Sequence, residues 1–356
     1  MCSLRIARPA RPLTDRWREL PVEPRGAMDV GISFRPPQAE AFGLDARDTL
    51  ETLLAHPFAL VRLGAYWSRM EPAPSMFAPA ELDWQVDAAE RAGKRIVICV
   101  GAVKTFGYPE CFVPAHHLPR PLREGRLVRP AEHGPLLAAA TAFVGRVVER
   151  YRDRPAVVAW QVEHEAVDPL GMEHSWRLAE AFVGREVAAV RAADPTRPIV
   201  MNGFLPTTLP VRLQQWWRTR DQGDSLAVAR RLADVVGIDY YPRHALLGAG
   251  GRTAYLDGSA SAWPPSLAGG RRAVVTEGQA EPWETVTAAP DPDGSAMFSC
   301  LPEHVVDNYN RCLRAARRAG VSLDAYLFWG AEYWVLRGRR GDDRYLRAFA
   351  RVLHHG

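Results

Sequence analysis

Along most of the chain, short apolar runs alternate with longer amphipathic segments. A short run rich in β-branched residues reads as a buried strand, and apolar residues recurring at three and four positions read as a helix. On this basis strands are expected near Val30–Phe34, Ala59–Leu63, Arg95–Val100, Ala156–Glu163, Pro198–Asn202, Val235–Tyr240, Ala273–Glu277 and Ala325–Trp329. Helices are expected near 46–55, 81–92, 134–150, 175–193, 224–233, 303–319 and 343–353, with start signals at Ser175 and at Pro302-Glu303. The stretch between the sixth and seventh strands, "RHALLGAGGRTAYLDGSASAWPPSLAGG", reads as a loop. Eight strand–helix alternations without a linker predict one α/β domain, a closed (β/α)8 TIM barrel. The ordered pattern begins at "MDVGISF". Residues 1–27 are therefore expected to be a disordered extension or a mis-assigned start, with the barrel spanning 28–356.

The three longest irregular stretches, 101–131, 241–271 and 278–302, each follow a strand. In such a barrel these loops build the C-terminal face, where active sites lie. They carry Phe106, Tyr108, Phe112, His116, His117, Trp263 and Trp283, which serve either as staples for the loops or as platforms for flat, apolar ring faces. His116 and His117 read as loop packing, because further metal ligands are not placed by the sequence.

Composition narrows the classes. The 356 residues are 47% hydrophobic and 24% charged, with net charge +4, ordinary for a soluble globular chain. Basic residues are almost all arginine, with Lys94 and Lys104 the only lysines, and they are scattered among acids. This is not the basic stripe of a nucleic-acid binder. The five cysteines lack CxxC spacing, so neither a disulfide framework nor a cysteine-bound zinc is expected. No apolar run approaches membrane-spanning length, and the N-terminus lacks the apolar core of a secretory signal. A cytoplasmic protein without cofactor or metal is the expectation.

Candidate chemistry lies at two strand ends. "VVAWQVEHEAVDP" runs from a strand into Glu163, His164 and Glu165. It is not a zinc-protease helix, because Asp168 stands where the second His would be needed. Alternation that turns Val158, Trp160 and Val162 outward sends Gln161, Glu163 and Glu165 inward. Glu165 would stand in the barrel mouth, and Glu163 would bond an Arg or Tyr inside. "RRAVVTEGQAEPW" ends the seventh strand in Glu277, across the barrel from the fourth. A strand-end Glu taken alone reads better as a salt-bridged structural residue. Two that face each other suit a retaining glycosidase, in which one protonates the leaving oxygen and the other attacks the anomeric carbon. Glu281 and Glu332 stay open as nucleophiles if the strand register differs. Asn202 would either reach a sugar hydroxyl or cap its own turn.

These motifs resemble, in order and over roughly residues 28–350, the superfamily of (β/α)8-barrel retaining glycoside hydrolases that includes β-galactosidases, cellulases, mannanases and xylanases. "AWQVEHE" resembles the motif that ends strand four there, which implies an acid/base role for Glu165. "VVTEGQAEPW" resembles the nucleophile segment, which implies that role for Glu277. "VRLGAYWSRMEPAPSMFAPAELDW" resembles the segment after strand two, with Arg62 as the arginine that steadies the nucleophile. "VGIDYYP" supplies the strand-six tyrosines, Tyr240 among them, and "LFWGAEYW" puts Trp329 at the sugar-stacking position. One departure is His164, where the superfamily has an Asn that bonds the sugar 2-hydroxyl. A neutral His still donates one hydrogen bond, while a protonated one lowers the pKa of the acid/base. The resemblance implies hydrolysis of a β-glycoside or oligosaccharide by double displacement. The alternative is a carbohydrate-binding barrel of the same fold with weak or no turnover. A phosphate-handling barrel fits less well, because tryptophans stand where its glycine-rich loops would be.

Overall fold

The structure is a computed structural model that describes all residues except 1–2, 8–18, 108–110, 123–125, 169–175, 250–251, 259–262, 265, 283–299 and 356. Eight strands close into a parallel barrel: β1 Asp29–Ser33, β2 Leu60–Gly64, β3 Arg95–Cys99, β4 Val157–Gln161, β5 Ile199–Phe204, β6 Val235–Tyr240, β7 Arg272–Gln279 and β8 Leu323–Trp329. All eight are those the sequence predicts, and each pairs with its neighbours in chain order. Helices pack outside the barrel through an apolar layer that includes Trp160, Val162, Phe182 and Tyr309. No helix among the described residues is long and apolar enough to cross a membrane.

The barrel axis explains where the polar side chains gather. Leu60, Val97, Ala159, Val200 and Leu327 fill the interior as an apolar floor. Two residues further along each strand, on the same face, come Arg62, Cys99, Gln161, Asn202 and Trp329. The interior thus changes from apolar to polar within one step toward the C-terminal ends.

Several parts of the chain differ from the periodicity reading. Residues 243–257 form a hairpin, Arg243–Ala249 with Arg252–Asp257, inside a stretch expected to be a loop. Strand Ser3–Ala7 adds to the hairpin edge. The helix expected from 175 starts at Glu180, because Arg177–Leu178 pairs instead with Leu127–Val128; Ser175 lies outside the described residues. Helices Leu209–Thr219 and Ala331–Arg339 were not predicted. The first leaves Leu209, Leu213, Trp216 and Trp217 exposed, so its apolar stripe does not mark a core.

Candidate active site

Glu277 is brought inward by an irregularity in β7. Register with β6 shifts between Val275 and Glu277, and both Thr276 and Glu277 reach the interior, as a bulge permits. Thr276 Oγ1 donates to Asp239 Oδ1 at 2.7 Å. Glu277 Oε1 receives Arg62 Nη1 at 2.8 Å, and Oε2 receives the Tyr241 hydroxyl at 2.8 Å. His164 Nε2 lies 2.9 Å from Oε1, off the line of a straight N–H bond. Burial alone would raise the Glu277 pKa, but His164 and Arg62 outweigh it and lower it to about 2. The neighbours of Glu277 therefore favour its ionised form. Arg62 is itself held over the Phe106 ring, 3.8 Å from its centroid.

The loop after β4 departs from the expected alternation. The strand ends at Gln161, and Glu163 and Glu165 both take positive φ, 56° and 42°, which costs energy for residues with a Cβ. Glu163 therefore does not bond an Arg or Tyr. Its carboxylate accepts the backbone N–H of Val103 at 2.9 Å and of Lys104 at 2.5 Å. Gly101 makes this approach possible, because a Cβ there would lie 2.2 Å from the Glu163 nitrogen. Glu186, buried on helix Glu180–Ala193, is pushed well up by burial and by Glu163, so it holds the proton of this pair.

Glu165 is fixed through its backbone. Its N–H donates to Asn202 Oδ1 at 3.2 Å, and its carbonyl accepts Lys104 Nζ at 2.8 Å. Asn202 also accepts from Gln161 Nε2 at 3.0 Å and donates to Asp239 at 2.6 Å. It thus links β4, β5 and β6, and it does not cap a turn. Burial, then Asp239, Asp168 and Glu277, raise the pKa of Glu165 well above the ordinary carboxyl range. Asp239 is itself raised to about 6, by burial first and Glu277 second. Environment thus pushes these two carboxyls in opposite directions, Glu277 toward the ionised form and Glu165 toward the protonated one.

Trp329, 9% exposed, lies under the Arg35 guanidinium at 3.9 Å and parallel to the His164 ring at 6.4 Å. Arg35 Nη2 bridges Glu281 at 2.9 Å and Glu332 at 2.8 Å. The two alternative nucleophiles are thus occupied by a buried arginine. Tyr240 does not join the cluster. It points outward against Trp263, with ring centroids 5.8 Å apart, and its neighbour Tyr241 reaches Glu277. The "DYYP" sequence offered both tyrosines, and period two from Asp239 selects the second. Asp239, Tyr241 and Lys104 were missed; the same alternation would have found Asp239 and Tyr241. Trp283 lies outside the described residues.

Two groups among the described residues bring three ligand-type atoms within 4.8 Å of one another: Glu71, His116 and His117, and also His164, Asp239 and Glu277. In the second, Arg62 already supplies the positive charge beside Glu277, so a cation has little to gain there.

The closed parallel barrel, with acidic side chains gathered at its C-terminal mouth, is similar to that of the (β/α)8-barrel glycoside hydrolases. More particularly, residues 45–220 match the family model of glycoside hydrolase family 42, described as beta-galactosidase. No curated protein matches in sequence. GH5_18 from Streptomyces cattleya, solved in complex with GlcNAc, is similar in fold at 14% identity and a TM-score of 0.56, covering 92% of this chain and 81% of that one. Xylanase 10B from Thermotoga petrophila RKU-1, solved with xylobiose, is similar at 12% identity and a TM-score of 0.52, covering 95% and 98%.

Proposed function

We propose that the protein is a retaining β-glycosidase with Glu277 as nucleophile and Glu165 as acid/base. The observation that carries this reading is the opposed surroundings of the two groups: Arg62, Tyr241 and His164 contact Glu277 and favour its ionised form, while burial and acidic neighbours raise the pKa of Glu165. In the first half-reaction Glu165 gives its proton to the departing glycosidic oxygen as Glu277 bonds to the anomeric carbon. In the second, ionised Glu165 takes a proton from water, which displaces Glu277. Trp329 offers an apolar face to the sugar ring. The substrate class is a β-linked glycoside; the solved neighbours hold a single sugar and a disaccharide, GlcNAc and xylobiose.

A panel of aryl β-glycosides identifies the active glycone, and the matching 2-fluoro glycoside then traps the enzyme. Peptide mapping is expected to put the label on Glu277, and NMR of early product to show retained anomeric configuration. A label on Glu281 or Glu332, or an inverted product, would overturn the assignment.

A further inference from the structure

The loop after β3 and the end of helix Trp67–Met70 after β2 bring together a cluster that the glycosidase chemistry does not use. His116 Nε2 and His117 Nε2 both point at Glu71 Oε1, at 3.0 and 2.9 Å. The two histidines are consecutive in the short 3₁₀ turn Ala115–His117. Side chains of adjacent residues in such a turn normally diverge, since a 3₁₀ helix has three residues per turn. Here the rings converge, with centroids 4.4 Å apart. The other Glu71 oxygen, Oε2, accepts Trp67 Nε1 at 2.8 Å, and the His117 ring stacks on the same indole at 4.8 Å. Carboxylate and imidazole are thus oriented by Trp67 before anything binds, the kind of outer-shell support that metal ligands need.

We propose that Glu71, His116 and His117 form a binding site for zinc or a similar first-row divalent cation. Two imidazole nitrogens and one carboxylate oxygen are a common three-ligand zinc set, with water in the fourth position. Zinc bonds of ~2.0–2.1 Å place tetrahedral ligands about 3.3 Å apart, close to the spacing of the two nitrogens from the oxygen. Calcium and magnesium, which want six or more oxygens or a mostly hydrated shell, fit poorly. The histidine side chains are 23% and 25% exposed, which gives the cation a route in. Its role is structural: it ties the loop after β3 to helix Trp67–Met70. That loop also carries Lys104 and Phe106, which hold the Glu165 backbone and Arg62.

The test uses the full, tag-free chain stripped with a chelator and titrated with zinc chloride. One equivalent is expected to bind and to raise the melting temperature, and cobalt in its place is expected to give the visible absorption of a tetrahedral site. The His116→Ala/His117→Ala variant and the milder Glu71→Gln are both expected to lose that equivalent, whereas His164→Asn keeps it. If the wild-type chain binds no zinc, the two histidines are only hydrogen-bond donors to Glu71 and the proposal fails. If the histidine and Glu71 variants bind zinc as the wild type does, the metal sits elsewhere and the proposal fails equally. Should the double variant not fold, Glu71→Gln and the cobalt spectrum decide.

Discussion

His164 Nε2 stands 2.9 Å from Glu277 Oε1, so the residue beside one carboxyl candidate, in the loop after β4, touches the other on β7. The contact is a near approach without in-line hydrogen-bond geometry, and a bound sugar could exchange partners with the imidazole. Loss of His164 therefore acts on both binding and charge. His164→Ala is expected to lower kcat/KM by roughly 10²-fold and to leave the fold intact, the size of one lost transition-state contact. His164→Asn is expected to recover part of it. Steady-state kinetics beside far-UV circular dichroism check this. Equal kinetics in all three proteins would remove His164 from the site, and an inactive wild type with an active His164→Asn would favour a binding-only protein.

Tyr241→Phe removes one of the hydrogen bonds that keep Glu277 ionised and leaves the ring in place. The Glu277 pKa should rise, and the acid limb of the kcat/KM profile should move to higher pH. A fall in kcat of about 10-fold or more accompanies it, as one charge-assisted bond to the carboxylate is lost. An unchanged acid limb would mean that Tyr241 does not tune the nucleophile. Tyr240→Phe, outside the cluster, provides the control.

Glu165 titrates in the opposite sense. Its folded pKa is raised, so its contribution to stability is fully present below the unfolded carboxyl value and is lost as pH rises through the folded one. The proposed mechanism needs Glu165 protonated and Glu277 ionised, which predicts activity that falls on the alkaline side with the pKa of Glu165. Glu165→Gln should abolish turnover of poor leaving groups. It should also raise the melting temperature by ~2 °C or more at pH 8, and by less at pH 4. Calorimetry at both pH values tests the sign.

Arg35 holds Glu281 and Glu332 in the interior. Arg35→Met leaves two buried carboxylates without their partner and is expected to cost about 3–5 kcal/mol. Adding Glu281→Gln and Glu332→Gln should return much of that loss. Denaturant unfolding of the single and triple variants decides it, and a single variant as stable as wild type would show the triad to be dispensable.

The barrel was legible because its strands are short, apolar and regularly spaced, and Glu165 and Glu277 drew attention because each lies at or just beyond the end of such a run. Errors came where local geometry overrides period two. The positive φ at Glu163 and Glu165 and the bulge at Glu277 redirect side chains without any mark in the alternation. Tyr240 was chosen over Tyr241 by not extending the inward series from Asp239. The pairing of Glu71 with His116 and His117 spans a separation of 45 and 46 residues, and only the fold brings them together.

The Glu163 carboxylate, bonded to the amides of Val103 and Lys104, has a kinetic consequence. The His164 amide in turn donates to the Lys104 carbonyl at 2.8 Å. The segments after β3 and β4 are therefore laced through each other, and neither can lift while the other stays down. Solvent hydrogen should enter the amides of Val103, Lys104 and His164 at one shared rate, set by a single cooperative opening. This side of the mouth is then expected to yield as one piece.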